Sequence, residues 1–79
     1  MTSRTVAALE PYKNSGPSRK YIFTCNFNTA AAIEMKPETA SSFISIYTFI
    51  ADEAVEVLMP QAAEYRTTGD SEITVSYDA

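Results

Sequence analysis

The sequence predicts a small α+β domain of order β-β-α-β, a mainly antiparallel three-stranded sheet covered on one face by a single long helix. Three observations predict it. Apolar residues recur at helical spacing from Phe43 to Leu58, and side chains alternate between apolar and polar over Lys20–Asn28. The same alternation returns over Glu72–Tyr77. A sheet with one apolar face and a helix with one apolar stripe satisfy the two-layer requirement of a small core.

Taken in order, residues 1–19 hold Ser, Thr, Asn, Gly and two prolines around a short apolar run, Val6-Ala7-Ala8-Leu9. Pro11 and the Asn14-Ser15-Gly16-Pro17 cluster interrupt any regular element, so the segment reads as a flexible tail preceding a single domain over 20–79. The alternative is an arm that lies along a sheet edge or orders on a partner, anchored by Val6, Leu9 and Tyr12. In the first strand, Tyr21, Phe23, Cys25 and Phe27 face one way, while Ile22, Thr24, Asn26 and Asn28 face the other. Residues 29–36 fit either a short helix capped by Asn28 or a strand returning from a turn at Asn28-Thr29. The alternation of Ala31, Ile33 and Met35 and the stop at Pro37 favour the strand and a hairpin.

The long helix is placed over Pro37–Arg66. Pro37 suits a first helical position, Glu38 complements the positive end of the dipole, and Thr39, Ser41 and Ser42 offer capping hydroxyls. Phe43, Ile44, Ile46, Tyr47, Ile50, Ala51, Ala54, Val55, Val57 and Leu58 share one arc through about five turns, opposite Ser45, Thr48, Asp52, Glu53 and Glu56. Pro60 implies a kink, and Tyr65 rejoins the apolar arc beyond it. The rival reading is a strand at Phe43–Ile50, rich in β-branched and aromatic residues. Its apolar side chains divide between both faces, which a strand covered on one side would not show. Beyond the helix, Thr67–Asp70 forms a turn, and Ile73, Val75 and Tyr77 point inward from the last strand.

Composition narrows the function classes. With 46% hydrophobic residues the 79-residue chain is not disordered by composition. A domain of this size has roughly 4–12 kcal/mol of stability, which makes a partner or an oligomer a reasonable expectation. There is no histidine, the two glycines are isolated, and no serine sits in a nucleophile-elbow pattern, so the expectation is a non-enzyme without cofactor or metal. The lone Cys25 lies between Phe23 and Phe27 on an apolar face and reads as core, in keeping with a reducing cytoplasm. No apolar run is long enough to span a membrane, and the N-terminus lacks a secretory core.

Charge is uneven. Residues 1–20 carry Arg4, Lys13, Arg19 and Lys20 against Glu10, whereas residues 21–79 carry Lys36 and Arg66 against nine acids. Asp52, Glu53 and Glu56 form an acidic stripe on the helix reading, with Phe49 as an exposed aromatic beside them; these four residues are the expected partner-binding site. The expectation is therefore a small acidic protein-binding module with a basic partner, an inhibitor of a nucleic-acid-handling complex. Small phage and mobile-element proteins that disarm host machinery, anti-CRISPR proteins among them, share this size and charge, an analogy of type without a shared motif. Alternatives are a self-assembling homo-oligomer, such as a homodimer, and nucleic-acid binding through the basic tail. Direct nucleic-acid binding is disfavoured by the acidic domain, and the aromatics beside Arg19-Lys20 share the face expected in the core.

Overall fold

A computed structural model describes residues 2–69 and 71–78, and among them there is no helix. Eight strands follow in order: β1 (Thr2–Val6), β2 (Tyr12–Lys13), β3 (Arg19–Asn26), β4 (Ala31–Lys36), β5 (Ile44–Phe49), β6 (Glu53–Met59), β7 (Glu64–Gly69) and β8 (Glu72–Tyr77). They form two four-stranded antiparallel sheets of order β1-β8-β3-β6 and β2-β7-β4-β5. Only the β4–β5 connection stays within one sheet; every other connection crosses to the opposite layer. The shortest principal extent, 17 Å, suits two layers with their side chains.

The sheets face each other across an aromatic core. Tyr21 of β3 meets Tyr65 of β7 edge-on, with ring centroids 5.1 Å apart, and Phe23 meets the same ring at 5.8 Å. Cys25, Ile73 and Val75 from one layer and Ala31, Ile33 and Phe49 from the other complete the buried cluster. At one margin Arg4 of β1 lies over the Tyr12 ring of β2, 4.8 Å from its centroid. At the other, the Tyr47 hydroxyl of β5 donates to Glu53 Oε1 of β6 at 2.6 Å.

This architecture overturns the α+β expectation. The segment expected as one long helix is instead a turn, β5, a short connection at residues 50–52, β6, a turn at residues 60–63 and the start of β7. The physical reason lies at Ile46. The β4–β5 register shifts between Ile33 and Glu34, from Ile33↔Tyr47 to Glu34↔Ser45, leaving Ile46 as the extra residue of a β-bulge. The bulge changes the phase of the strand, so both Ile46 and Tyr47 pack against the core. Ile46, Tyr47 and Phe49, which seem to occupy two faces of a regular strand, thus turn to one face of a bulged strand, while Ile44 and Ile50 stay exposed. In β6 the period is two, with Val55, Val57 and Met59 turned inward and Ala54, Glu56 and Leu58 outward. Pro60 ends the strand and does not kink a helix.

The expected hairpin at Asn28-Thr29 is also corrected. Residues 31–36 are a strand, but β4 pairs with β5 and β7, so residues 27–30 arch between the layers. Within the segment read as a tail, β1 pairs with β8 through Thr2↔Tyr77 to Val6↔Ile73, and Tyr12 pairs with Tyr65 in β2. Val6 is buried and Tyr12 is packed against the core, whereas Leu9 is exposed.

The phenols of the core make stability depend on alkaline pH. Burial pushes Tyr21 and Tyr65 above the ordinary phenol value, with the neighbouring phenols Tyr77 and Tyr21 respectively adding to the rise. A folded-state value above the unfolded one favours the protonated phenol. That contribution is fully present below about pH 10 and is lost as the pH climbs through the folded values. Urea midpoints measured across this range are therefore expected to hold up to about pH 10 and to fall above it. Absorbance titration of the folded protein should show a late-ionising class of tyrosines.

Candidate functional site

Three connections meet at one end of the sandwich: residues 27–30 between β3 and β4, residues 50–52 between β5 and β6, and the link from Gly69 to Ser71 between β7 and β8. The strand registers place them there, since Cys25 lies opposite both Glu53 and Ile73, and Ala31 lies opposite both Phe49 and Gly69. The loops are fastened to one another. The backbone N–H groups of Asn28 and Thr29 donate to the Ser71 hydroxyl at 3.3 and 3.1 Å, and that hydroxyl donates to the Thr29 carbonyl. Phe27 N–H donates to Asp52 Oδ1 at 2.5 Å. Gly69, with φ of 87°, lets its backbone close on the Ala30 carbonyl.

This end is acidic. Asp52 and Glu72 are exposed there, and Glu53 stands at the start of β6. Glu72 Oε1 accepts from Asn26 Nδ2 at 3.2 Å. No Lys or Arg occurs in the three loops, since the six cations are Arg4, Lys13, Arg19, Lys20, Lys36 and Arg66. Three of these are paired elsewhere: Lys20 with Glu56 at 3.4 Å, Lys36 with Glu64 at 3.1 Å and Arg66 with Glu34 at 2.7 Å. Lys13, Arg19, Lys20 and Lys36 all belong to the opposite end, where Glu56 and Glu64 accompany them, so the cations are kept away from the three loops. Ile50, 79% exposed, stands beside Asp52.

The expected site residues are scattered by the strand period. Phe49, expected to be exposed, is buried at 1% exposure, because β5 is a strand that turns it inward opposite Ala31. Glu53 faces the seam between the sheets and Glu56 the outer surface, as an odd separation along a strand requires. Asp52 stays on the loop. The acidic group that does assemble adds Glu72 and Ile50, which pattern reading missed: Glu72 is far away in sequence, and Ile50 belongs to the apolar arc of the expected helix. The turn signals at Asn28-Thr29 and Gly69 were visible, but nothing local says that these turns meet.

Burial raises the Cys25 thiol above its ordinary value; the Ser71 hydroxyl lowers it somewhat, and the carboxylates of Asp52 and Glu53 raise it further, so the sulfur stays protonated near neutral pH. Among the described residues no pocket forms, and no three His, Cys, Asp or Glu side chains are grouped to hold a metal. Nor is any helix long and apolar enough to cross a membrane among them. No protein-family model, curated protein or solved structure matches the chain.

Proposed function

We propose that the chain is a small, acidic, non-catalytic protein that binds a partner protein with a basic surface through this loop end, and so inhibits a nucleic-acid-handling complex. The observation that carries the reading is the cluster of Asp52, Glu53 and Glu72, free of any loop cation, around the exposed Ile50. Carboxylates held on fastened loops lose little freedom on binding and can occupy a groove that otherwise receives phosphates. Their field steers encounter with a positive patch, and Ile50 supplies the apolar anchor that charge alone lacks. A reducing cytoplasm is the compartment this reading assigns, in keeping with the single buried thiol.

Displacement of fluorescent DNA from a panel of purified DNA-binding proteins tests the reading. The paired change Asp52→Asn and Glu72→Gln removes two charges while keeping an acceptor at each position. It is expected to weaken displacement about tenfold or more at low salt. The control pair Glu10→Gln and Glu38→Gln, exposed outside these loops, removes the same charge and should leave displacement within about threefold. Equal losses from the two pairs would mean that net charge acts and the loop end does not.

A further inference from the structure

We propose that β6 receives an extended segment of the basic partner as an added strand, continuing the β1-β8-β3-β6 sheet; this rests on the binding reading above. The four sheet margins are not equivalent. β2 has two residues, β5 is bulged at Ile46, and β1 turns the charged Arg4 inward toward Tyr12 and Tyr77. Each of these is a recognised way of blunting an edge. β6 has none of them over Ala54–Leu58: its seven-residue pairing with β3 runs unbroken from Arg19↔Met59 to Cys25↔Glu53, without Lys, Pro or bulge. Its outer side therefore presents a regular row of backbone donors and acceptors.

The side chains specify what would lie there. Val55 and Val57 are only partly buried at the seam, and Leu58 and Ile44 are 64% and 53% exposed along the same margin. An added strand with apolar residues turned inward would cover the two valines. Its alternate residues would stand beside Glu56, which has a single, largely exposed ion pair with Lys20. Basic side chains are complementary there, and Glu53 at the loop end extends the negative field along the strand. A second copy of the chain is the wrong occupant by the same argument, since it would bring an acidic strand against an acidic strand. The occupant is thus an extended partner segment that alternates apolar and basic residues.

The test uses the full chain, labelled with nitrogen-15, and a synthetic peptide of alternating lysine and valine. Its counterpart has the same charge but N-methyl groups on every central amide, so neither of its edges can donate. The unmethylated peptide is expected to slow hydrogen exchange of alternate β6 amides about tenfold or more, and the methylated one to bind at least about tenfold more weakly. Equal binding of the two peptides, with shifts confined to the three loops, would overturn strand addition while leaving the acidic docking surface standing. Loss of binding by both peptides on Asp52→Asn with Glu72→Gln, with no β6 protection, would support the loop end and again overturn the edge. Protection of β6 that rises with protein concentration alone would overturn it in favour of a second copy.

Discussion

Gly69→Ala is expected to remove about 3–5 kcal/mol of stability, a large share of the roughly 4–12 kcal/mol a chain of this length has. Its φ of 87° lies in the region that a side chain disfavours, and a Cβ built there would stand 1.9 Å from the Ala30 carbonyl oxygen and 3.0 Å from Ala31 Cα. Both neighbours are backbone. Relief would have to move the start of β4 away from β7, where Ala31 lies opposite Gly69. Gly16→Ala is the informative comparison. Its added Cβ would meet the Arg19 guanidinium at 1.6 Å, but that is the end of a flexible side chain that can swing aside. A cost within about 1 kcal/mol is expected there. Urea unfolding of both variants measures the contrast. Because Gly69 closes the loop end, any folded fraction of Gly69→Ala should also be weak in the DNA displacement proposed for that end.

Asn14→Asp is expected to be nearly as damaging, by about 3–5 kcal/mol, although the two side chains have almost the same shape. Asn14 is 1% exposed and fastens the loop before β3 to the turn after β6. Its Nδ2 donates to the carbonyls of Pro17, Met59 and Pro60 at 3.1, 3.2 and 3.1 Å. Its Oδ1 accepts from Gly16 N–H and from the Tyr21 hydroxyl, both at 3.3 Å. The main chain adds a bond to the Ala63 carbonyl and one from Ala62 N–H. An ionised carboxylate would set a negative oxygen against three carbonyl oxygens in a buried site, which is worse than an absent group. Asn14→Ala, which only removes the bonds, should therefore cost less, about 2–3 kcal/mol. With about 4–8 °C of midpoint per kcal/mol for so small a domain, thermal unfolding separates the three proteins clearly. Equal midpoints for Asn14→Asp and Asn14→Ala would mean that setting a carboxylate against the three carbonyls costs nothing beyond the lost bonds.

The parts of the fold that were legible in the sequence are those where one strand face is buried and the phase is unbroken. Tyr21, Phe23 and Cys25 in β3 and Ile73 and Val75 in β8 are buried at alternate positions, as their spacing foretells. The centre of the chain misled for a definite reason. The bulge at Ile46, the connection at residues 50–52 and the period-two pattern of β6 combine into a run that imitates helical spacing from Phe43 to Leu58. Strand propensity in Phe43–Ile50 pointed the right way, and the phase change concealed it. Crossing between layers was illegible for another reason. An arch at Asn28-Thr29 and a hairpin use similar turn residues, and only the pairing of β4 with β7 distinguishes them.

The same limit applied to the site. Asp52 was visible as an acid, but helical spacing grouped it with Glu56, which lies on the outer surface of the sheet beside Lys20. Its actual companion on the loop end, Glu72, opens β8 directly after a turn that nothing local connects to residues 50–52. Acidity is a property of the composition; the place where it concentrates is a property of the topology.

The most direct measurement is a backbone amide shift map of the full chain, labelled with nitrogen-15, against a basic DNA-binding protein that it displaces from DNA. The largest changes are expected at Phe27–Thr29, Ile50–Glu53 and Ser71–Glu72, with broadening that recedes as salt is raised. Changes centred on Lys13, Arg19 and Lys20 at the opposite end would contradict this expectation.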